Sequence, residues 1–227
     1  MAYAALFLVL GLAQMGLAGY YGGIAWMLAW SGLSFTTIGL AYAGVGPRVF
    51  GKRADGSLSP ASLVVLLPFL LFTWLVWHVQ VLLERGPAAH EIAPNLWLGR
   101  RPRRGEIPAD VSLIVDLTAE FAESGAIRTG REYLCVPTLD SRAPDIALLR
   151  DAVERAAAWR GGVFVHCANG SGRSSTFAAA LLIRKGLCSG VEEAKARLRS
   201  IRPAVRLYPE QQAAVRVLGE GFAAHRS

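Results

Sequence analysis

Charged residues are missing from two long stretches of this 227-residue chain. Residues 1–47 contain no Asp, Glu, Lys or Arg, and neither do residues 56–83. Both stretches exceed the roughly 20 apolar residues that are needed to cross a bilayer. A cleaved secretory signal does not fit, because it has a basic start and one short apolar segment. We therefore expect these stretches to remain in a membrane.

The apolar stretches predict three membrane-spanning helices, near residues 4–19, 24–45 and 63–83. Residues 20–23 read Tyr-Tyr-Gly-Gly, which favours a turn with tyrosines at the membrane interface; one long tilted helix is the alternative. We expect residues 1–83 to form a transmembrane region, residues 84–91 a juxtamembrane linker and residues 92–227 a separate folded domain.

Basic residues give conflicting indications of the orientation in the membrane. The loop between the second and third spans carries Arg48, Lys52 and Arg53. The domain side of the third span carries a larger group of five arginines: Arg85, Arg100, Arg101, Arg103 and Arg104. Both groups cannot be cytoplasmic if the third span crosses. The larger group favours a multi-pass protein of the cell membrane whose domain is cytoplasmic.

The net charge of +7 divides into +2 for residues 1–83 and +5 for the rest. A basic domain gains roughly 1 kcal/mol for each cation that lies close to anionic lipid headgroups. A pI near 9.8 is also typical of nucleic-acid-binding proteins. However, the basic residues are interspersed with acids and no nucleic-acid motif occurs. We expect a membrane-surface partner and no nucleic acid.

The chain has only three cysteines, Cys135, Cys167 and Cys188. Three widely spaced cysteines exclude a disulfide framework and a structural zinc site. Cys135 and Cys188 fit buried apolar positions, and the alternative is that one of them forms a protective disulfide with Cys167 on oxidation.

Residues 163–174 read Val-Phe-Val-His-Cys-Ala-Asn-Gly-Ser-Gly-Arg-Ser and carry the clearest chemical signal. An apolar strand delivers Cys167 into a glycine-containing loop that opens a helix, so backbone N–H groups and the helix dipole converge on an anion. The same field stabilises a thiolate, which makes Cys167 a candidate nucleophile. Arg173 supplies a planar fork that matches two phosphate oxygens. A buried structural cysteine would leave Arg173 at this spacing unexplained.

This His-Cys-x5-Arg-Ser motif resembles the active-site signature of the cysteine-dependent phosphatases, in their dual-specificity branch. Rhodanese-like domains share Cys-x5-Arg, but His166, Gly170 and Ser174 match the phosphatase form. The resemblance covers residue 92 to the C-terminus and includes Pro94-Asn95-Leu96 with Leu98-Gly99. It implies hydrolysis of phosphate monoesters through a phosphocysteine, without a metal or other cofactor.

The resemblance assigns roles residue by residue. Cys167 is the nucleophile, Arg173 holds phosphate oxygens, and Ser174 donates a hydrogen bond to the departing sulfur. Ser174 also fits a local bond in the first turn of a helix, and both roles are compatible. His166 is expected to orient the loop from its buried side. The residues predicted to bind the substrate phosphate are Ala168, Asn169, Gly170, Ser171, Gly172 and Arg173.

The leaving oxygen needs an acid, which the resemblance places about thirty residues before the cysteine. Asp140 follows a short strand and lies 27 positions before Cys167, so it is the preferred candidate. Asp145 is the competitor, but it falls in the first turn of a predicted helix, where an acid ordinarily complements the dipole. Asp116 follows a buried strand and is interpreted as structural.

The substrate remains open between two classes. Lipid phosphatases of this superfamily commonly carry Lys or Arg inside the loop, and residues 168–172 have neither, which disfavours polyphosphorylated inositol lipids. Residues 137–140, Pro-Thr-Leu-Asp, and the small Gly172 are similar to the branch that acts on phosphatidylglycerophosphate. A membrane-anchored protein phosphatase acting on phosphotyrosine, phosphoserine or phosphothreonine is the alternative, and a catalytically silent phosphate-binding module is a third.

The hydropathy pattern after residue 84 alternates strands with helices, which predicts an α/β domain with a mainly parallel sheet flanked by helices. Strands are expected at 90–99, 111–117, 133–136 and 162–166. Helices are expected at 144–159, with Pro144 in the first turn, and at 173–185, 191–201 and 209–224.

Overall fold

The computed structural model describes residues 2–84 and 86–224, which fall into two compact units. Unit one contains Met1–Arg53, Ser57–Arg85 and Ala119–Ala122. Unit two contains Ala54–Gly56, Gly86–Thr118 and Glu123–Ser227. Arg85, one of the basic residues used above to predict orientation, lies outside the described residues, as do the last three residues of the predicted catalytic domain.

Unit one is built from three apolar helices: α1 (Ala2–Tyr21), α2 (Trp26–Leu40) and α3 (Pro60–Leu83). A short 3₁₀ turn (Gly23–Ala25) precedes α2, a π turn (Ala41–Val45) follows it, and a second 3₁₀ turn covers Pro47–Phe50. Three segments, Ala2–Tyr21, Gly23–Val45 and Pro60–Leu83, are long and apolar enough to cross a membrane. The chain breaks at Gly22, whose φ of 61° ends α1, so the alternative of one long helix is wrong.

Small residues bring α1 and α2 together. A Cβ atom on Gly11 would lie 2.6 Å from the carbonyl oxygen of Gly32, so the two backbones touch where neither has a side chain. The buried hydroxyl of Ser34 accepts a hydrogen bond from the Phe69 N–H at 3.3 Å, just after Pro68 inside α3. This bond satisfies a backbone donor that no water could reach in a bilayer.

Unit two contains a five-stranded sheet in the order β1-β2-β5-β3-β4. Its strands are β1 (Ala89–Ala93), β2 (Leu96–Arg100), β3 (Val111–Thr118), β4 (Glu132–Thr138) and β5 (Gly162–Cys167). Only β1 is antiparallel to its neighbour, and the other pairs are parallel. The carboxyl ends of β2, β3, β4 and β5 therefore meet at one edge, where ligands bind in such sheets.

Helices flank this sheet: α4 (Gly125–Arg128), α5 (Ile146–Ala158), α6 (Arg173–Arg184), α7 (Val191–Ile201) and α8 (Pro209–Ala224). Side chains alternate across β3, so Leu113 and Val115 join the large core with α6 while Ile114 packs with Phe164 and Ile127 in a smaller cluster. The residues of α6 from Arg173 to Ile183 are all buried. The predicted α/β fold with a mainly parallel sheet is confirmed.

Two predicted elements have different bounds. The single strand expected at 90–99 is a hairpin of β1 and β2, because Asn95 adopts a left-handed conformation (φ 60°) and turns the chain. The helix expected to begin at Pro144 begins instead at Ile146, with Asp145 as its N-cap. Asp145, which was predicted to lie in the first turn of this helix, is therefore the N-cap residue just before it.

Candidate active site

The predicted anion-binding loop, residues 168–172, connects the end of β5 to the start of α6. β5 lies in the middle of the sheet between β2 and β3, so it holds Cys167 at the centre of the carboxyl edge. Gly170 has φ +67°, and a Cβ atom there would collide with the backbone of Gly99. Only glycine fits this position, because it tolerates positive φ and leaves room for β2.

Four successive carbonyls of the loop accept hydrogen bonds from segments around it. In order, the donors to residues 168, 169, 170 and 171 are Arg101 N (3.1 Å), Arg202 Nη2 (3.0 Å), Arg202 Nε (3.0 Å) and Arg206 N (2.8 Å). In a trans peptide the carbonyl and the following N–H point in opposite directions. The N–H groups of residues 169–172 are thereby turned away from these donors, as an anion cradle requires.

Cys167 and Ser174 meet at the base of this loop. The Cys167 Sγ lies 3.2 Å from the Ser174 Oγ, and both side chains are buried. Ser174 is in the first turn of α6, whose N-cap is Gly172, so Cys167 lies beside the positive end of the helix dipole. Either atom could donate in this contact, and a hydrogen bond donated by the Ser174 hydroxyl would stabilise a thiolate at Cys167.

Arg173 is the first residue of α6 and is almost fully buried. Its Nη1 donates to the Thr138 carbonyl at 2.9 Å, and its Nη2 lies 3.2 Å from Asp140 Oδ1. The Asp140 side chain is 69% exposed, which leaves it accessible to a substrate. The structure therefore brings the preferred acid candidate to the predicted phosphate-binding arginine.

Asp145 and Asp116 are engaged elsewhere. Asp145 Oδ1 accepts the Leu148 N–H at 3.0 Å and caps α5. Asp116 Oδ1 accepts both the N–H and the hydroxyl of Thr118 at 2.7 Å, which is a structural use. Assignment of the acid to Asp140 stays a prediction, although Asp145 is already occupied as a cap.

A buried group of ionisable residues lies beneath the loop. The His166 Nε2 is 3.3 Å from Glu123 Oε2, and its Nδ1 is 4.0 Å from Asp116 Oδ1; all three side chains are fully buried. Tyr133 donates to Asp116 at 2.8 Å, and burial together with this carboxylate raises the pKa of Tyr133 far above its ordinary value. The phenol therefore keeps its proton, and His166 is held between two carboxylates on the buried side of the loop.

Asp116, Glu123 and His166 offer ligand atoms within 4.8 Å of one another, which is close enough for a metal ion. However, Asp116 already accepts three hydrogen bonds, from Thr118 and Tyr133. Glu123 Oε1 accepts the Ser124 N–H at 2.8 Å and faces Arg101 at 3.3 Å. Three of the four carboxylate oxygens of Asp116 and Glu123 are therefore already engaged by protein donors.

Sequence reasoning missed the residues that hold the loop from outside. Arg202 lies 32 positions beyond Gly170 and is 4% exposed, and Glu123 belongs to the connection after β3. Neither belongs to a local motif. The sequence shows only that Arg202 directly follows a predicted helix. Arginines at helix ends are commonly exposed to solvent, so this position does not predict a buried arginine that contacts the loop.

All three cysteines are free thiols. Cys135 pairs in register with Asp116, which in turn pairs with His166, so Cys135 is two strands away from the residue preceding Cys167. Two strand spacings amount to about 9.6 Å, more than a disulfide can bridge without backbone movement. This spacing disfavours a Cys135–Cys167 disulfide.

Comparison with protein families gives a match over residues 108–187 to a family described as polymorphic toxin system, DSP-PTPase phosphatase. The matched region contains Asp140 and the whole loop motif. No curated protein matches the chain.

Several solved structures resemble unit two. PTPMT1 in complex with PI(5)P is 25% identical, covers 62% of this chain and 99% of its own, and has a TM-score of 0.55. Tk-PTP in its active form is 27% identical and covers 59% of this chain and 97% of its own, with a TM-score of 0.53. Human DUSP28 is 25% identical over 60% of this chain and 99% of its own, with a TM-score of 0.50. In its loop motif and sheet order, the domain is similar to the cysteine-dependent dual-specificity phosphatases.

Proposed function

We propose that this protein is a membrane-bound phosphatase that removes a phosphate monoester from a phospholipid headgroup, most closely a phosphatidylglycerophosphate-like lipid. The observation that carries the proposal is the presence of three helices able to cross a bilayer in the same chain as the phosphate cradle. A lipid substrate lies in the plane of the membrane, so anchoring raises its effective concentration. A water-soluble substrate gives no comparable reason for three spans.

The first chemical step transfers the phosphoryl group to sulfur. The Cys167 thiolate attacks phosphorus, an S–P bond forms and the bond from phosphorus to the lipid oxygen breaks. Arg173 and the loop N–H groups hold the three equatorial oxygens as charge shifts. The substrate phosphate replaces Asp140 on the Arg173 guanidinium, and Asp140 gives its proton to the leaving oxygen.

The second step hydrolyses the phosphocysteine. Asp140 accepts a proton from a water molecule, whose oxygen attacks phosphorus while the S–P bond breaks. The electron pair returns to Cys167 as a thiolate, and the Ser174 hydroxyl, 3.2 Å away, stabilises it by donating a hydrogen bond. Inorganic phosphate leaves, and Asp140 is protonated again for the next turnover. The chemistry uses no metal, so we expect activity to be insensitive to chelators.

Two further observations support a lipid with one monoester phosphate. The loop residues 168–172 carry no cation of their own, which favours a simple headgroup over a polyphosphorylated one. PTPMT1, a solved relative of this domain, was crystallised with a phosphoinositide, PI(5)P.

The second candidate is a membrane-anchored dual-specificity protein phosphatase. It is favoured by the similarity to human DUSP28 and by the DSP-PTPase description of the matching family. A phosphorylated protein at the membrane surface would use the same Cys167 chemistry. The two candidates differ in the group that carries the phosphate, a lipid headgroup or an amino-acid side chain, and an assay must compare these two substrate classes.

The test is a substrate panel with the full-length protein in detergent micelles. Phosphate release is measured from phosphatidylglycerophosphate, phosphatidic acid, phosphoinositides and phosphopeptides, with Cys167→Ser as the control. The proposal expects kcat/KM to be highest for phosphatidylglycerophosphate. A preference for phosphopeptides of about tenfold or more, equal to roughly 1.4 kcal/mol of transition-state binding, would contradict it.

We also propose that unit two faces the cytoplasm. A reducing compartment keeps the Cys167 thiol available, whereas an oxidising one exposes it to disulfide formation. A membrane-impermeant thiol reagent applied to intact cells should leave Cys167 unlabelled until the membrane is opened. Labelling of Cys167 in intact cells would place the domain on the other side.

A further inference from the structure

The segment between α7 and α8, residues 202–208, is bonded directly to the catalytic loop. Arg202, which is 4% exposed, gives hydrogen bonds to the carbonyls of Gly170 and Asn169, both at 3.0 Å, and its Nη1 lies 3.2 Å from His90 Nδ1. A buried guanidinium with this many partners is rigid. We call residues 202–208 the clamp segment; Arg202 fixes its start against the loop.

Arg206 makes a second contact between the clamp segment and the loop. Its N–H donates to the Ser171 carbonyl at 2.8 Å, and a Cβ atom on Gly172 would lie 3.6 Å from the Arg206 carbonyl oxygen. The backbone of Arg206 is thus bonded to one residue of the phosphate cradle and lies close to the next, while its side chain is exposed. A long cation is thereby attached at the rim of the cradle by rigid backbone contacts.

Two other arginines near the loop, Arg101 and Arg142, are paired with carboxylates. Arg101 is 3.3 Å from Glu123, and Arg142, two residues after the acid candidate Asp140, is 3.1 Å from Glu210. Within residues 2–84 and 86–224, the Arg206 guanidinium has no such carboxylate partner. Its positive charge is therefore available to an anion that arrives with the substrate.

We propose that Arg206 binds a second anionic group of the substrate, the phosphodiester that links the headgroup to the lipid, while Arg173 and the loop bind the terminal monoester. This inference rests on the proposed function and deepens it. Because residues 168–172 carry no cation, a cation that recognises a second phosphate must come from the rim. Arg206 would therefore make the enzyme select a lipid with two phosphates, such as phosphatidylglycerophosphate, over phosphatidic acid, which has only the monoester.

The test compares Arg206→Gln with the wild type in full-length protein reconstituted into phosphatidylcholine vesicles. The matched control is Arg160→Gln, an exposed arginine that precedes β5 at the sheet edge opposite to the loop. Glutamine keeps the backbone bond to Ser171 and removes only the charge. An unchanged melting temperature for both variants establishes that they fold.

For phosphatidylglycerophosphate, Arg206→Gln should raise KM roughly tenfold, the range of one hydrogen bond to a charged group, and change kcat less than about twofold. For phosphatidic acid, both constants should stay within about twofold of the wild type. Arg160→Gln should change neither substrate. Arg206→Lys should recover part of the affinity, because it restores the charge without the planar fork.

Three results would overturn the proposal, and each has a distinct signature. If wild-type protein hydrolyses phosphatidylglycerophosphate well and Arg206→Gln leaves its KM unchanged, the proposed function survives and Arg206 has no part in it. If Arg206→Gln raises KM equally for both lipids, either in phosphatidylcholine vesicles or only in a parallel set that contains phosphatidylserine, Arg206 does not recognise the second phosphate. If the wild type hydrolyses neither lipid, the proposed function fails and this inference fails with it.

Discussion

The two units of the molecule differ in how they use polar groups. In α1, α2 and α3 there is no Asp, Glu, Lys or Arg, and two polar side chains bond to backbone groups: Ser34 accepts from the Phe69 N–H, and the Trp30 indole donates to the Val64 carbonyl at 2.9 Å. In unit two, ionic side chains lie in and around the catalytic loop: Arg202 bonds to two loop carbonyls, Arg173 pairs with Asp140, and Glu123 contacts His166.

This difference assigns the proposed membrane attachment to unit one and the proposed catalysis to unit two. The helices of unit one carry no Asp, Glu, Lys or Arg, and their one histidine, His78, lies near the end of α3. Unit two stores several buried charges, which are costly unless they are paired with good geometry. Such a cost is typical of a site that must hold an anion at a fixed position. We infer that unit one determines where the enzyme meets its substrate and unit two determines what happens to it.

The largest effect that we expect is from Cys167→Ser, which removes the nucleophile from unit two. Activity on every substrate should fall by about 10⁴-fold or more, as with other essential nucleophiles. Cys188→Ala is the matched control, because Cys188 is also buried but lies away from the loop. Residual turnover by Cys167→Ser, measured by phosphate release, would contradict the covalent mechanism.

Asp140→Asn should have the next largest effect. Loss of the general acid should lower kcat about 10²- to 10⁴-fold, and most strongly for substrates with poor leaving groups. Asp145→Asn is the comparison, because it retains a side chain that can cap α5 and should change kcat little. An unchanged kcat for Asp140→Asn, with a loss for Asp145→Asn, would transfer the acid role.

Gly11→Leu tests whether unit one has a packed structure of its own. The new side chain meets the backbone of α2 and should destabilise the helices by about 1–3 kcal/mol or more. Gly16→Leu is the control, since nothing lies within 4 Å of a Cβ atom at that position in the same helix. The midpoint of unfolding in detergent should fall for Gly11→Leu alone, while turnover of soluble p-nitrophenyl phosphate stays within about twofold for both. Equal midpoints would contradict the close approach of α1 and α2.

The smallest effect concerns two thiols that are buried to a similar degree. Burial and Glu193 raise the pKa of Cys188 above its ordinary value, so Cys188 carries less thiolate at any given pH. Cys167 has the loop N–H groups and the dipole of α6 instead. Iodoacetate near pH 7 should label Cys167 at least about tenfold faster than Cys188, as read by mass spectrometry, and the Cys188 rate should rise as the pH increases. Equal rates would contradict the electrostatic role of the loop.

Local sequence patterns predicted the secondary structure around the loop because the strand end, the loop and the helix start lie within twelve consecutive residues. The motif at 163–174 predicted β5, the loop and α6, and the structure shows all three in that order. The short strand before Asp140 was also identified, although it extends further in both directions as β4. Long apolar stretches without charge predicted the three helices of unit one.

Features that depend on distant residues were not predictable in this way. The β1–β2 hairpin requires Asn95 in a left-handed conformation, which a continuous apolar pattern does not reveal. The contacts of Arg202 and Glu123 with the loop region depend on how α7 and the connection after β3 return to the sheet. No spacing in the sequence encodes those approaches, because each arises from tertiary packing.

The most direct test of the central claim is an internal competition assay. Full-length protein in phosphatidylcholine vesicles is given phosphatidylglycerophosphate and a phosphotyrosine peptide at equal concentrations in one reaction, and both products are followed by mass spectrometry. The ratio of initial rates equals the ratio of the two kcat/KM values. A lipid-directed enzyme predicts a ratio of at least about tenfold in favour of the lipid. A ratio of about tenfold in favour of the peptide would contradict the account.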